Sequence, residues 1–255
     1  MKRILTFGDS FSDNGFSNGC GYNRLSNGRV WVEYLGELLG ASLEDRAWCG
    51  ATSGMGNASG PKDWSGLSWQ VDTYQADAQS GDVLCTLLIG INDVYEGKGD
   101  AQEVVSNTLS ALEVLVGKGV QNFLLGSVPD ISDAPAYIQE YAEVKGKVRD
   151  TILDINSRLK SAVFGRDGFA ELHPAVTVNY FDAYKTFKSF VTDGLFKVTD
   201  KPWNGTYTEP QDSGFLWWDD WHPMTEAHRK LAFAAVEVLK RGKQSSYHSN
   251  IFSEI

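Results

Sequence analysis

The stretch Thr6-Phe7-Gly8-Asp9-Ser10-Phe11-Ser12-Asp13-Asn14-Gly15 decides the fold. The run Arg3 to Phe7 leading into it is short, apolar and bounded by glycine, the pattern of a buried strand. Gly8 and Gly15 bracket a polar turn of small side chains. A strand that runs straight into such a turn presents the Ser10 hydroxyl at its carboxyl end, where open α/β sheets bind ligands. An Asp-Ser pair alone has an ordinary reading as a turn. What lifts Ser10 above that reading is the set of partners arriving from three distant parts of the chain.

Outward from this stretch the pattern alternates strand and helix. Trp31, Tyr34, Leu35 and Leu38 recur at helical spacing and Gly40 ends the run. A second strand is expected over Ala41 to Trp48, followed by Cys49-Gly50-Ala51-Thr52-Ser53-Gly54-Met55-Gly56-Asn57, so rich in small residues that its backbone must turn tightly or approach something closely. A flexible surface loop is the plainer reading of that segment. Leu67 to Asp72 opens a short helix. Asp82 to Gly90 is the clearest strand, an apolar run that requires cover on both faces, and it ends in Gly90-Ile91-Asn92-Asp93.

A helix capped by Asp100 follows, then a strand over Phe123 to Ser127, a long helix from about Ala136 to Val163, and a fifth strand over Val176 to Phe181. Between Asp182 and Gly214 periodicity is lost, and the segment reads as an irregular aromatic insert. Thr225 to Arg241 closes the pattern as a helix, with a polar tail over Lys243 to Ile255. The whole, residues 1–255, is expected to be one α/β domain with a five-stranded parallel sheet in the flavodoxin-like order 2-1-3-4-5.

With 23 Lys and Arg against 33 Asp and Glu, the net charge of −10 argues against nucleic acid and anionic lipid surfaces as partners and favours a small molecule or neutral polymer. No apolar run reaches the length of a membrane span. No secretion signal is visible, so a cytoplasmic location is the expectation on this sequence, and a secreted or periplasmic one if a leader was cleaved. Cys20, Cys49 and Cys85 show no metal or redox spacing, and free thiols are the simpler case, with pairing of two of them left open. His173, His222, His228 and His248 show no metal-ligand spacing either.

A serine hydroxyl becomes a useful nucleophile when a base takes its proton and a third group orients the base. Asp219 and His222, three residues apart in Phe215-Leu216-Trp217-Trp218-Asp219-Asp220-Trp221-His222-Pro223, can supply both from one segment, although Asp-x-x-His alone is a weak signal. Acyl transfer also needs donors aimed at the developing oxyanion. The Ser10 N–H, the Gly50 N–H and the Asn92 amide follow the first, second and third strands and converge on one sheet edge in the expected order. Separately, Asn92 reads as a turn residue and Gly50 as a steric requirement.

The four blocks Gly8-Asp9-Ser10-Phe11-Ser12-Asp13-Asn14-Gly15, Gly50-Ala51-Thr52-Ser53, Gly90-Ile91-Asn92-Asp93 and Asp219-Asp220-Trp221-His222-Pro223 resemble, in order, the marker blocks of the SGNH, or GDSL, hydrolase family. The resemblance implies Ser10 as nucleophile, His222 as base, Asp219 as its partner, and Ser10, Gly50 and Asn92 as oxyanion donors. It implies a flavodoxin-like α/β/α sandwich, no metal and no organic cofactor. Phe11 stands where the motif name has leucine, and Cys49 where many relatives have a second glycine. Phe-Ser-Asp-Asn-Gly, Ser-Asn-Gly-Arg-Val-Trp-Val-Glu-Tyr-Leu and Ser-Trp-Gln-Val-Asp are similar to the lysophospholipase, lecithinase and haemolysin branch and also to carbohydrate acetylesterases. The activity implied is that of a serine ester hydrolase acting through an acyl-enzyme on a small-molecule, lipid or glycan ester, lipase- or lysophospholipase-like or a general carboxylesterase first, with a carbohydrate O-acetylesterase as the alternative. An acyltransferase using the same residues, or a carbohydrate-binding protein that no longer catalyses, are the rivals.

Overall fold

Continuous apolar runs form strands in this chain where helices can cover both faces of a sheet. The computed structural model describes residues 2–15, 24–77, 83–198 and 214–251. Its strands are β1 (Arg3–Gly8), β2 (Ser42–Asp45), β3 (Val83–Leu88), β4 (Asn122–Gly126) and β5 (Thr177–Phe181). All five lie in one sheet in the order β2-β1-β3-β4-β5, and every pairing is parallel. Every residue of β3 is buried, as its unbroken apolar sequence requires. The register sets Gly8 opposite Leu88 and Thr6 opposite Asp45, so β1, β2 and β3 deliver their following loops to one edge.

The principal helices are α1 (Trp31–Leu39), α2 (Leu67–Thr73), α3 (Ala101–Gly117), α4 (Pro135–Ile138), α5 (Lys145–Phe164), α6 (Phe169–Leu172), α7 (Ala183–Thr192) and α8 (Thr225–Ile251). α1 and α7 pack with α8, while α3 packs with α2 and α5, giving the two outer layers of an α/β/α sandwich. The caps are those expected from the sequence. Gly40 ends α1 in the left-handed conformation, and the Asp100 carboxylate accepts the Gln102 and Glu103 N–H groups at the start of α3.

Three sequence expectations are corrected. The long helix placed at Ala136 to Val163 is broken: α4 stops at Ile138, a single 3₁₀ turn spans Ala142–Val144, and α5 begins at Lys145. On either side of the break Tyr137 and Tyr141 pack against Trp221, with ring centroids 5.2 and 5.6 Å away, and the Ala136 N–H donates to Asp220 O at 3.1 Å. The supposedly irregular insert from Asp182 begins with α7, capped by the Asp182 carboxylate on the Lys185 N–H. Phe187 and Phe190 are buried between α7 and the core, and Phe187 stacks 5.4 Å from Trp217. Trp203 and Tyr207 lie outside the described residues. The tail expected from Lys243 continues α8 to Ile251 instead. Among the described residues no helix is long and apolar enough to cross a membrane.

One buried side chain braces the end of β1. The β2 ladder ends opposite Thr6, and beyond it the Gln70 carboxamide on α2 accepts the Gly8 N–H at 3.0 Å and donates to the Gly8 carbonyl at 2.8 Å. The same Nε2 donates to Ser65 O at 2.9 Å. Gly8 has no room for a side chain, since a Cβ would stand 2.5 Å from the Leu88 carbonyl oxygen of β3. Replacing Gln70 by alanine strands the Gly8 N–H in the interior, at about 1–3 kcal/mol, while the Gly8 carbonyl keeps the Trp48 N–H at 3.0 Å. Urea unfolding of Gln70→Ala is therefore expected to show a loss of about 1–3 kcal/mol, and a loss under about 0.5 kcal/mol would mean that water takes over the carboxamide's bond to the Gly8 N–H.

Candidate active site

Past Gly8 the chain enters a tight turn in which Ser12 and Asp13 both donate their N–H to the Asp9 carbonyl, at 2.9 and 3.0 Å. This turn lifts Ser10 onto the sheet edge. Its Oγ lies 3.0 Å from His222 Nε2. The other imidazole nitrogen, Nδ1, lies 2.8 and 3.0 Å from the two carboxylate oxygens of Asp219. Bonded to a carboxylate, Nδ1 carries the proton, and Nε2 is left to accept from the serine hydroxyl.

Asp219 is fixed by more than its histidine. Its Oδ1 also accepts the Trp221 N–H at 2.8 Å and the His222 N–H at 2.6 Å. Burial pushes this carboxyl's pKa up, but the bonds and charge of His222 and the two backbone donors outweigh it and hold the group below its ordinary value. The segment is clamped from outside by Ser26 Oγ on Pro223 O, by Asn27 Oδ1 on the Thr225 N–H, and by the Trp218 N–H on His222 O. The serine, imidazole and carboxylate singled out in the sequence thus form one hydrogen-bonded chain.

The loops after β2 and β3 are stitched to the turn that carries Ser10 and to each other. The Asp13 carboxylate accepts the Cys49 N–H at 2.8 Å, and Asp45 accepts the Asn14 N–H at 2.9 Å. The Asn92 amide donates one proton to Ala51 O at 2.9 Å, which fixes its orientation and leaves its second proton free. Asp93, next to it, receives the Ser53 N–H and the Ser53 hydroxyl, the latter at 2.6 Å. Gly50 adopts the left-handed conformation, φ 77°, and a Cβ there would collide with the Asn57 carboxamide. Asn57 in turn donates to Cys49 O at 2.7 Å, so its side chain holds the Gly50 turn in shape. Asn92 and Ser10 both line a cleft of about 130 Å³ walled by Phe11, Ile91, Ile131, Tyr95 and Trp221, with His222 at its rim.

Sequence patterns did not single out Gln70, Asn57 or Tyr95. Gln70 and Asn57 act across 62 and 8 residues respectively, and neither sits in a marker block. Tyr95 follows the third block in a short 3₁₀ turn and packs 5.0 Å from Trp221. Of the described aromatic residues between Asp182 and Trp221, Trp221 lines this cleft while Phe187, Phe190, Phe196 and Trp217 are buried in the core. Cys49 and Cys85 are free thiols, and Cys20 lies outside the described residues. Burial, with Asp13, Asp9 and Asp219 nearby, pushes the Cys49 thiol up to about 12, so it is no competing nucleophile. Among the described residues no His, Cys, Asp and Glu are grouped to hold a metal ion.

Residues 4–234 match the family described as GDSL-like lipase/acylhydrolase. The chain is 25% identical to the thermolabile hemolysin of Vibrio parahaemolyticus over 93% of its own length, and spans 63% of that protein. It is 25% identical to an acetylesterase of Thermothelomyces thermophilus, covering 94% of this chain and 88% of the other. Its fold superposes on a carbohydrate acetylesterase family member from Sinorhizobium meliloti with a TM-score of 0.56 at 19% identity, covering 95% and 99% of the two chains.

Asp9, beside Ser10, is wholly buried, and its Oδ1 accepts the Phe11 N–H. Burial, helped by Asp93 and Asp13, lifts its carboxyl to about 7 against opposing backbone N–H bonds. A carboxyl whose pKa is higher folded than unfolded stabilises the fold fully at low pH and loses that contribution as pH rises through the folded value. Asp9→Asn removes the titration, so its melting temperature relative to the parent is expected to rise from pH 4.5 to pH 8. A difference that stays constant across that range would show Asp9 ionised in the fold throughout.

Proposed function

The chain belongs to the GDSL-like lipase/acylhydrolase family, and on that premise we propose that it hydrolyses carboxylic esters through a covalent acyl-serine intermediate. The observation that carries the reading is the 3.0 Å approach of Ser10 Oγ to His222 Nε2 at the rim of an apolar cleft, with Asp219 bonded to the far nitrogen.

In this reading Ser10 Oγ attacks the ester carbonyl carbon while His222 Nε2 takes its proton. Asp219 holds the ring and its Nδ1 proton in place and favours the imidazolium that forms. Negative charge developing on the carbonyl oxygen is met by the second Asn92 amide proton and by the Ser10 and Gly50 N–H groups. The Asn92–Ala51 bond and the Asn57 brace at Gly50 support this assignment, because donors held before the reaction need no reorganisation during it. Collapse of the tetrahedral species expels the alcohol with the proton carried by His222. A water then repeats the sequence, His222 taking its proton, and releases the acid and the free Ser10 hydroxyl.

Ser10→Ala is expected to reduce p-nitrophenyl acetate turnover at least about 10³-fold with an unchanged melting temperature, since the residual rate comes from binding and the oxyanion donors alone. Retention of more than a tenth of the parent rate would refute the nucleophile. Asn92→Ala should lower kcat by about 10²–10³-fold with little effect on KM, the signature of an interaction made mainly in the transition state. A rise in KM at constant kcat would make Asn92 a ground-state binding residue instead.

A further inference from the structure

Two hollows adjoin at Asn92, the smaller of them lined by Ser10, and they differ in size and in lining. The smaller is the apolar cleft of about 130 Å³ already described. The larger, about 540 Å³, is lined by Thr52, Lys62, Asp93, Lys98, Asp100 and Glu103. Ala58, Ser59, Asn92 and Tyr95 line both, so the two adjoin along that seam. An ester attacked at its carbonyl carbon has two arms, and only one of them can occupy each hollow.

The cleft suits the acyl arm. Apart from Ser10, Ser59, Asn92 and His222 its walls are aromatic and aliphatic, and its volume, about a quarter of the groove's, favours a short acyl group over a long chain. The groove offers hydroxyls, ammonium groups and carboxylates, on which a fatty alcohol would gain nothing from burial. Its charges are also largely committed. Lys62 Nζ donates to the Asn57 and Ala58 carbonyls at 2.9 and 3.1 Å, Asp93 is engaged by Ser53, and Asp100 caps α3. Two lysines against three carboxylates leave no surplus positive charge to attract a phosphate group.

We propose, resting on the catalytic reading above, that this groove is the subsite for the alcohol half of the ester and that it takes a neutral polyhydroxylated alcohol, a sugar ring bearing a short O-acyl group. Sugar hydroxyls both donate and accept, which matches a lining of mixed hydroxyl, carboxylate and ammonium groups. Contacts made in the groove, remote from the reacting carbon, would then raise kcat/KM above that of an ester with nothing to place there.

The test compares kcat/KM for esters that share one acyl group: methyl acetate, an O-acetylated methyl glucoside and 1-acetylglycerol 3-phosphate, with p-nitrophenyl butyrate and octanoate as a chain-length pair. The acetylated sugar is expected to exceed both methyl acetate and the phosphate-bearing ester at least tenfold, and butyrate to exceed octanoate at least tenfold. Glu103→Arg, which turns the groove's balance to three cations against two carboxylates, should raise the ratio of phosphate ester to sugar ester at least fivefold. Equal values for sugar and methyl acetate, or a preference for the phosphate ester in the parent protein, would overturn the assignment of the groove. Equal butyrate and octanoate rates would overturn that of the cleft. Labelling of Ser10 by a fluorophosphonate separates the two levels: labelling without sugar preference sinks this inference alone, and absence of both labelling and turnover sinks the catalytic reading and this inference with it.

Discussion

At Gly8, the last residue of β1, the Gln70 carboxamide accepts the N–H and donates to the carbonyl, which the Trp48 N–H also reaches. The β2 ladder ends opposite Thr6, and past it the chain still donates the Arg46 N–H to Thr6 O and the Trp48 N–H to Gly8 O, leaving the Gly8 N–H to Gln70. Gln70 supplies the acceptor that this edge lacks, from a helix in the adjacent layer. Its bond to Ser65 O ties that side chain to the loop leading into α2. The position of Ser10 relative to β3, and hence to Asn92, rests on this small piece of borrowed ladder.

Beyond the strands, the same task passes to carboxylates. Asp13, Asp45 and Asp93 each accept N–H groups from a neighbouring loop, at Cys49, Asn14 and Ser53, where no strand is available to do so. Burial raises the pKa of all three, and the donors they accept oppose that shift. An ionised acceptor makes the stronger bond and a protonated one the easier burial. These loops are therefore joined by groups whose protonation the fold itself sets. The joined loops are the ones that carry Ser10, Gly50 and Asn92, so the rigidity of the candidate oxyanion donors is inherited from this stitching.

The sheet and the site were legible in the sequence to very different depths. Strands β1, β3 and β4 announce themselves because burial on both faces demands apolar runs, and glycine marks their ends. Caps such as Gly40 and Asp100 are legible because they act within a few residues. Ser10, His222 and Asp219 could be paired because their residue types imply a shared task. Gln70 and Asn57 could not, since a buried amide has no periodic or compositional signature and its partners lie elsewhere in the chain. The broken helix at Gln139 to Val144 was hidden for a related reason: the apolar periodicity continues through the break, and the contacts made there, with Trp221 and Asp220, come from a distant part of the chain. The opposite happened in α7, where aromatic residues among glycine and threonine masked a helix whose buried face is Phe187 and Phe190.

Asp219 and His222 share a single short loop, whereas Ser10 comes from the other end of the chain. The carboxylate and the imidazole therefore travel together under any displacement of that loop, and their mutual bond is insulated from the rest of the molecule. The contact between Ser10 and His222 is the one exposed to tertiary disturbance. Loosening of the scaffold would uncouple the hydroxyl from an otherwise intact acid-base pair, so inactivation is set to precede loss of secondary structure and to reverse when the loop reseats.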